Sequence, residues 1–318
     1  MIRRDFIKVA GVSPLLACFQ ADLSKMAREF QHGRLERRSL GKTGEKLSIL
    51  GFGGIVVMDA SPEEASNRVS EAIEFGVNYF DVAPSYGDAE LKLGPALKPY
   101  RNDVFLACKT DGRTKAEAEK ELEDSLKRVG TDHFDLYQHH AVTKLEEVDT
   151  IMGPNGAMEA FIEAKKAGKV RFLGFSAHSV EAALKLMDSY DFDTLLFPIN
   201  FTTWNAGNFG PQVLERAQKK GMGILALKAM AKGPWPKDAA NKIPKCWYEP
   251  LTDPADAQMG LRFTLSHPVT AAIPPGNEKL FHMALGLALN FKPLDSDELK
   301  QIKEKGMAGK PIFSFPMS

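Results

Sequence analysis

The sequence predicts an α/β fold, a closed (β/α)8 TIM barrel with an N-terminal β-hairpin closing the barrel bottom. Three observations carry this. Short apolar runs and amphipathic segments alternate eight times over about 280 residues. No linker, internal repeat or low-complexity tract interrupts them. Polar residues able to do chemistry recur at the ends of the apolar runs, where a barrel of this kind gathers its functional groups.

The elements follow in order. RSLGKTGEKLSILGFGG reads as a hairpin with Thr43-Gly44 at its turn, leading through a first strand at Leu47–Phe52 into the glycines Gly53 and Gly54. Ser61-Pro62-Glu63-Glu64 gives an N-cap, a proline at the first helical position and an acidic third position. Ala65, Val69, Ala72 and Ile73 then make one apolar stripe. Further strands are expected at Asn78–Asp81, Val104–Lys109, Phe134–His140, Arg171–Ser176, Thr194–Asn200, Ile224–Ala229 and Ala271–Ile273. Thr114 and Glu117 form a capping box for a helix whose stripe is Ala118, Leu122, Leu126 and Val129, and Gly130 ends it. One connection, Gly233 to Asp256, is long, proline-rich and aromatic, with no helical period; loops of that length are functional or disordered, and its aromatic residues argue for the former.

Lys plus Arg and Asp plus Glu both total 41, so the formal net charge is zero, and no clustered positive field exists for nucleic acid. A hydrophobic fraction of 44% and a charged fraction of 26% suit a soluble globular chain with a large core. The three cysteines, Cys18, Cys108 and Cys246, lack the paired spacing of a zinc site or disulfide framework, and Cys108 reads as core packing. No metal is expected.

The N-terminus departs from this pattern. In MIRRDFIKVAGVSPLLACFQA, Arg3-Arg4 precede Phe6-Ile7-Lys8 and an apolar run from Val9 to Phe19, in the order of a twin-arginine export signal. At about a dozen residues that run is too short to span a bilayer as a helix. Residues 1–30 are therefore expected to be an export signal and linker, and residues 36–318 the barrel. The export machinery is then a partner and the location periplasmic; an ordinary amphipathic helix and a cytoplasmic location are the alternative. Leu15-Leu16-Ala17-Cys18 also resembles a lipoprotein cleavage site, which would put a lipid anchor on Cys18.

Strand ends, taken in order, are Gly53-Gly54, Asp81 with Tyr86 just beyond, Lys109, His140, Ser176, Asn200, Lys228 and Gly276. Asp81 would cost several kcal/mol at a buried strand end without a partner, and Lys109, on the neighbouring strand, supplies one. An ammonium aimed at the Tyr86 phenol is expected to lower its pKa, making a usable proton donor. His140 would orient the carbonyl oxygen that receives the proton. Hydride must then come from a cofactor, because no protein side chain delivers it. A second reading is a cofactor-binding partner or sensor with little turnover. A barrel hydrolase or lyase lacks a metal cluster or second catalytic carboxylate and is disfavoured.

On these residues the chain resembles the aldo-keto reductase superfamily from Arg38 to about Met283. LGKTGEKLSILGFGG is similar to that family's opening segment, FDVAPSYGDAELKLG to its Asp and Tyr motif, ACKT to its lysine strand and DLYQHH to its histidine strand. The resemblance implies a tetrad of Asp81, Tyr86, Lys109 and His140. It also implies a nicotinamide cofactor, NADPH with NADH the alternative, lying across the barrel mouth against a small-molecule carbonyl substrate. Gly53, Gly54, Ser176, Lys228, Gly276, Asn277 and Lys279 are the implied cofactor positions, with Lys279 facing a 2′-phosphate. Trp204, Trp235, Trp247 and Tyr248 are the expected substrate-pocket aromatics, and His178 lies close to where a cofactor contact is expected. Three positions depart from the pattern: Ala177, Leu196 and either Leu227 or Lys228 stand where relatives hold the nicotinamide with Asn, Gln and an aromatic ring.

Overall fold

In the computed structural model, which describes residues 34–240 and 242–316, the chain opens with an antiparallel hairpin of Arg37–Ser39 (β1) and Lys46–Ser48 (β2). The expected export leader lies outside the described residues. Parallel strands follow at Phe52–Gly53 (β3), Tyr79–Asp81 (β4), Phe105–Thr110 (β5), Phe134–Val142 (β6), Val170–Ala177 (β7), Thr194–Pro198 (β8) and Gly223–Leu227 (β9). An antiparallel ribbon of Ala231–Gly233 (β10) and Glu249–Pro250 (β11) then forms the base of the long connection, before Ala271–Ile273 (β12). The eight parallel strands run β12-β9-β8-β7-β6-β5-β4-β3. The Ala272 N–H donates to the Ile49 carbonyl at 2.9 Å and the Gly51 N–H to the Ala272 carbonyl at 2.9 Å, which joins the two ends of the sheet into a barrel.

Strand alternation sorts the core into two layers. Tyr79, Phe105, Ala107, Leu136, Leu196, Leu225 and Ala271 fill the lumen. Their outward neighbours, such as Phe80, Leu106 and Leu195, pack under the surrounding helices. The hairpin plugs the lower end: Leu40 is fully buried among the lumen residues. Arg38 ties the hairpin down by donating to the Leu265 and Val269 carbonyls at 2.8 and 3.1 Å, and the Thr270 hydroxyl donates to the Ser39 carbonyl at 2.9 Å. Gly41 permits this seat. Its φ is 52°, and a Cβ there would lie 2.3 Å from the Gly223 nitrogen.

Both helix starts read from the sequence have reciprocal capping boxes, Ser61 with Glu64 and Thr114 with Glu117, and Gly130 ends the second helix in the left-handed region at φ 72°. Strand bounds shift where side chains intervene. The expected strand at Leu47–Phe52 splits between hairpin and barrel, and Asn78 bridges the two by accepting the Ser48 N–H at 2.7 Å and donating to the Lys46 carbonyl at 2.9 Å. β8 stops at Pro198 because Asn200 caps the helix Phe201–Asn205, accepting the Thr203 N–H at 2.9 Å. β9 stops at Leu227 because Lys228 turns left-handed at φ 66°.

Alternation along β6 also separates its two histidines. His139 faces the helices, stacked on Phe161 at 3.9 Å, with neither ring nitrogen partnered. Burial, with the nearby Arg113 charge, lowers its pKa to about 3. The folded protein therefore refuses a proton that the unfolded chain accepts below about pH 6.5, so stability present at neutral pH drains away as pH falls towards about 3. Replacing His139→Leu is expected to flatten the acid-side loss by roughly 1.4 kcal/mol per pH unit while leaving pH 7 stability unchanged or higher. Urea unfolding at pH 7 and pH 4.5 checks this, and identical slopes for both proteins would overturn it.

Candidate active site

On β4 the alternation points Tyr79 and Asp81 into the lumen, and Asp81 closes the strand at 2% exposure. Its carboxylate accepts from the Lys109 ammonium in a short contact, from the Tyr79 hydroxyl at 3.3 Å and from the Gln138 amide at 3.2 Å. Lys109, on β5, is 1% exposed and also donates to the Val82 carbonyl at 3.2 Å. Burial works to strip the proton from Lys109. The Asp81 charge more than offsets this and holds its pKa well above the usual lysine value.

Tyr86 sits on the turn after β4, where its N–H reaches the Ala83 carbonyl at 3.1 Å and Gly87 takes a left-handed φ of 57°. The Lys109 ammonium lies 4.9 Å from the Tyr86 ring centroid. The expected acidification is corrected here. Burial raises the Tyr86 pKa, Lys109 lowers it by charge and hydrogen bonding, Asp81 raises it again, and the balance is upward. The phenol keeps its proton at neutral pH.

His140 reaches the mouth from β6, with its ring edge-on to Tyr86 at 5.7 Å. Nδ1 lies 2.8 Å from the Asp111 carboxylate and 3.3 Å from the Ser85 hydroxyl. The backbone is fixed on both sides. Arg113, paired with Glu147, donates to the His140 carbonyl at 2.7 Å, and the Ala141 N–H donates to the Ser176 hydroxyl at 2.7 Å. Ala141 adopts φ 49° at the β6 irregularity, so Ser176 braces the bend that aims His140.

The remaining expected residues divide. Gly53 pairs in register with Asp81, and Cβ atoms at Gly53 and Gly54 would come within 3.0 Å of Ile273 and 2.9 Å of Val82, so these glycines permit close strand approach. A Cβ at Gly276 would lie 2.3 Å from Ile55, Asn277 caps the helix Glu278–Leu289, and Lys279 is exposed in its first turn. That helix start suits an anionic group. Lys228 has no carboxylate partner among the described residues. Its ammonium lies 5.2 Å from each of the Trp247 and Tyr248 ring centroids, and burial, reinforced by Lys109, lowers its pKa to about 8. Leu196 and Leu227 line the lumen as apolar surface, and Ala177 is buried.

One pocket aromatic is corrected. Trp204 packs among helices against His267 at 4.4 Å and Phe263 at 6.3 Å, because Asn200 starts a helix there and turns the chain outward. Trp235 braces its own loop, donating from its indole to the Cys246 carbonyl at 2.9 Å. Trp247 and Tyr248 do flank Lys228. Residues missed in the sequence are Gln138, Asp111 and Phe313. The last, near the chain's end, stacks on His178 at 5.1 Å and meets Trp247 edge-on at 5.8 Å. Gln138 was legible from its inward register two residues before His140; Phe313 carried no periodic signal.

The donor set fits a nicotinamide cofactor. The His178 Nε2, Asn200 Nδ2 and Gln138 Oε1 atoms are buried without partners, a mixture of donor and acceptor capacity that suits an amide, and the unneutralised Lys228 suits a phosphate. Among the described residues no group of three or more His, Cys, Asp or Glu could hold a metal. Cavities of about 500 Å³ beside Thr114 and Pro154 and about 400 Å³ beside Arg38 and Gln218 include none of the four central residues.

Because Asp81 and Lys109 are both buried, removing one strands the other. Lys109→Met is expected to destabilise by about 3–5 kcal/mol, and the double variant with Asp81→Asn to recover most of that loss. Urea unfolding of both singles and the double tests the coupling; additive losses would contradict it.

The model for the Aldo/keto reductase family matches residues 50–306. The oxidoreductase YqkF of Bacillus subtilis is 25% identical over 304 residues, covering 85% of this chain and 96% of its own. L-galactose dehydrogenase of Arabidopsis thaliana is 28% identical over 217 residues, covering 63% and 67% respectively. A Klebsiella pneumoniae aldo-keto reductase solved in complex with NADPH superposes with a TM-score of 0.68 at 19% identity, over 91% of this chain and all of that one. With a family match that spans well over half its length, on a closed barrel whose strand ends gather an Asp, a Tyr, a Lys and a His, the chain belongs to the aldo/keto reductase family.

Proposed function

We propose that Tyr86 is the proton donor of a reductase that acts on an aldehyde, ketone or sugar-like carbonyl, with NADPH as the reductant. The family is one of nicotinamide-dependent carbonyl oxidoreductases. The observation that carries the residue assignment is the contact set at the barrel mouth: Asp81 on Lys109, Lys109 over Tyr86, and Tyr86 edge-on to His140. The bound cofactor supplies hydride. His178, Asn200 and Lys228 would hold it, with the helix start at Asn277 and Lys279 for its phosphate end. His140 orients the carbonyl oxygen towards Tyr86. The phenol releases its proton to that oxygen, and Lys109, kept charged by Asp81, stabilises the phenolate left behind. The leucines, Trp247 and Phe313 make the surroundings of the site apolar. L-galactose dehydrogenase among the relatives favours a sugar-like substrate.

The sensor reading draws on Ala177, Leu196 and Leu227, which offer the nicotinamide no hydrogen bond. Tyr86→Phe separates the two. The reductase reading expects loss of turnover by at least about 10²-fold, followed as NADPH absorbance with a panel of aldehydes, and unchanged NADPH binding by fluorescence. Binding without turnover in the wild type would favour the sensor, and full activity in Tyr86→Phe would refute the proton-donor role.

For residues 1–30 the reading is an export signal, with folding and cofactor loading completed before transport. What supports it is the order of Arg3-Arg4, Phe6 and the apolar run. The pair Arg3→Lys and Arg4→Lys is expected to retain the protein in the cytoplasm of its host. Equal fractionation of variant and wild type would sink the reading.

A further inference from the structure

The tetrad leaves one contact unused. Asp111 follows the end of β5 with its carboxylate 2.8 Å from His140 Nδ1, and its side chain is 44% exposed, so burial does not account for its place. The turn that carries it is held from below. Glu121 accepts the Asp111 N–H at 2.8 Å, the Thr110 hydroxyl at 2.6 Å and the Gly112 N–H at 3.3 Å. On the other side Arg113 and Ser176 fix the His140 backbone, as described above. The backbone under the carboxylate and the backbone under the imidazole are thus each held by contacts of their own, which sets the two side chains opposite one another.

A carboxylate can only accept. The Asp111 pKa is lowered, first by its hydrogen bond with His140, so it is ionised at neutral pH and Nδ1 must carry the proton. A neutral His140 ring then presents a lone pair at Nε2, and that nitrogen donates only when the ring holds a second proton. The titratable and charged groups facing the ring are Asp111 and Arg113 from the connection after β5, Tyr86 from the connection after β4 and His178 from the connection after β7.

We propose that Asp111 is a positioning residue that locks His140 as the Nδ1–H tautomer, so that Nε2 donates to a carbonyl oxygen as an imidazolium during reduction and accepts from an alcohol as a neutral ring during oxidation. The same bond thereby couples the protonation of one histidine to the direction of the reaction. This rests on the reductase reading for its consequence, but not for its geometry.

The experiment uses the full-length protein labelled with ¹⁵N-histidine, with His140 assigned by loss of its signal in His140→Gln. In the neutral ring the wild type is expected to show the proton on Nδ1. In Asp111→Asn, where the side-chain amide can itself donate to Nδ1, signal is expected to move to the Nε2–H form. Kinetically, Asp111→Asn is expected to lower kcat for glyceraldehyde reduction roughly tenfold, since a charged donor is replaced by a neutral one, with the KM for NADPH unchanged. Asp111→Glu should restore both the Nδ1–H tautomer and kcat. A wild-type ring protonated on Nε2, or an unchanged tautomer in Asp111→Asn, would overturn the proposal. Absence of wild-type turnover would fault the reductase reading alone, and the tautomer would still decide the role of Asp111.

Discussion

The ion pair of Asp81 and Lys109 sets the terms for the rest of this barrel. Neither group is more than 2% exposed, and a buried ion pair is worth having only when its remaining hydrogen-bonding capacity is met. Tyr79 and Gln138 complete the carboxylate, and the Val82 carbonyl takes a further proton of the ammonium. These partners come from β4, β5, β6 and the turn after β4, so the pair requires strand registers that agree around a third of the barrel. The apolar lumen beneath, sealed by Leu40 from the hairpin, keeps the local dielectric low. Low dielectric strengthens the pair and also makes any defect in it expensive.

That same dryness explains why the phenol is less acidic than its neighbouring ammonium alone would make it. Burial disfavours phenolate before Lys109 can favour it, and the Asp81 charge cancels part of what Lys109 contributes. For the proton donation proposed for Tyr86 this is the useful order of effects. An acid must hold its proton until the acceptor oxygen develops negative charge, and Lys109 matters at that moment, because it stabilises the phenolate as it forms. An isolated ammonium without Asp81 would itself lose its proton to burial. Asp81 therefore acts on Tyr86 mainly by keeping Lys109 charged.

How much of this could be read from the residues depends on the range of the interaction. Alternation within a strand is local, so NYFD and DLYQHH already place Asp81 and His140 inward and His139 outward, and the capping boxes at Ser61 and Thr114 are complete within four residues. Chain order then brings Asp81 to Lys109, because parallel neighbours in a barrel are consecutive. What escaped depends on contacts without a period. Asp111 meets His140 from 29 positions earlier in the chain, Phe313 reaches His178 from beyond the last helix, and Trp204 is turned away from the mouth by the cap at Asn200. The direction of the Tyr86 shift was illegible for another reason. It is a difference between burial and charge, and only the geometry supplies the first of these.

The mouth carries a charge imbalance that bears on how the cofactor is held. Asp81 neutralises Lys109, yet Lys228 has no carboxylate among the described residues, only the faces of Trp247 and Tyr248. Cation–π contact offsets part of its desolvation and leaves its pKa at about 8, so most molecules carry an extra positive charge there at neutral pH. A phosphate arriving beside it would favour the charged form and reverse that shift, adding a charge-assisted bond to the binding energy. The neighbouring positions contribute little polarity, since Leu196, Leu227 and Ala177 are apolar. At these positions the surroundings therefore favour an anionic group through Lys228 and leave any amide to the unpartnered His178, Asn200 and Gln138 atoms.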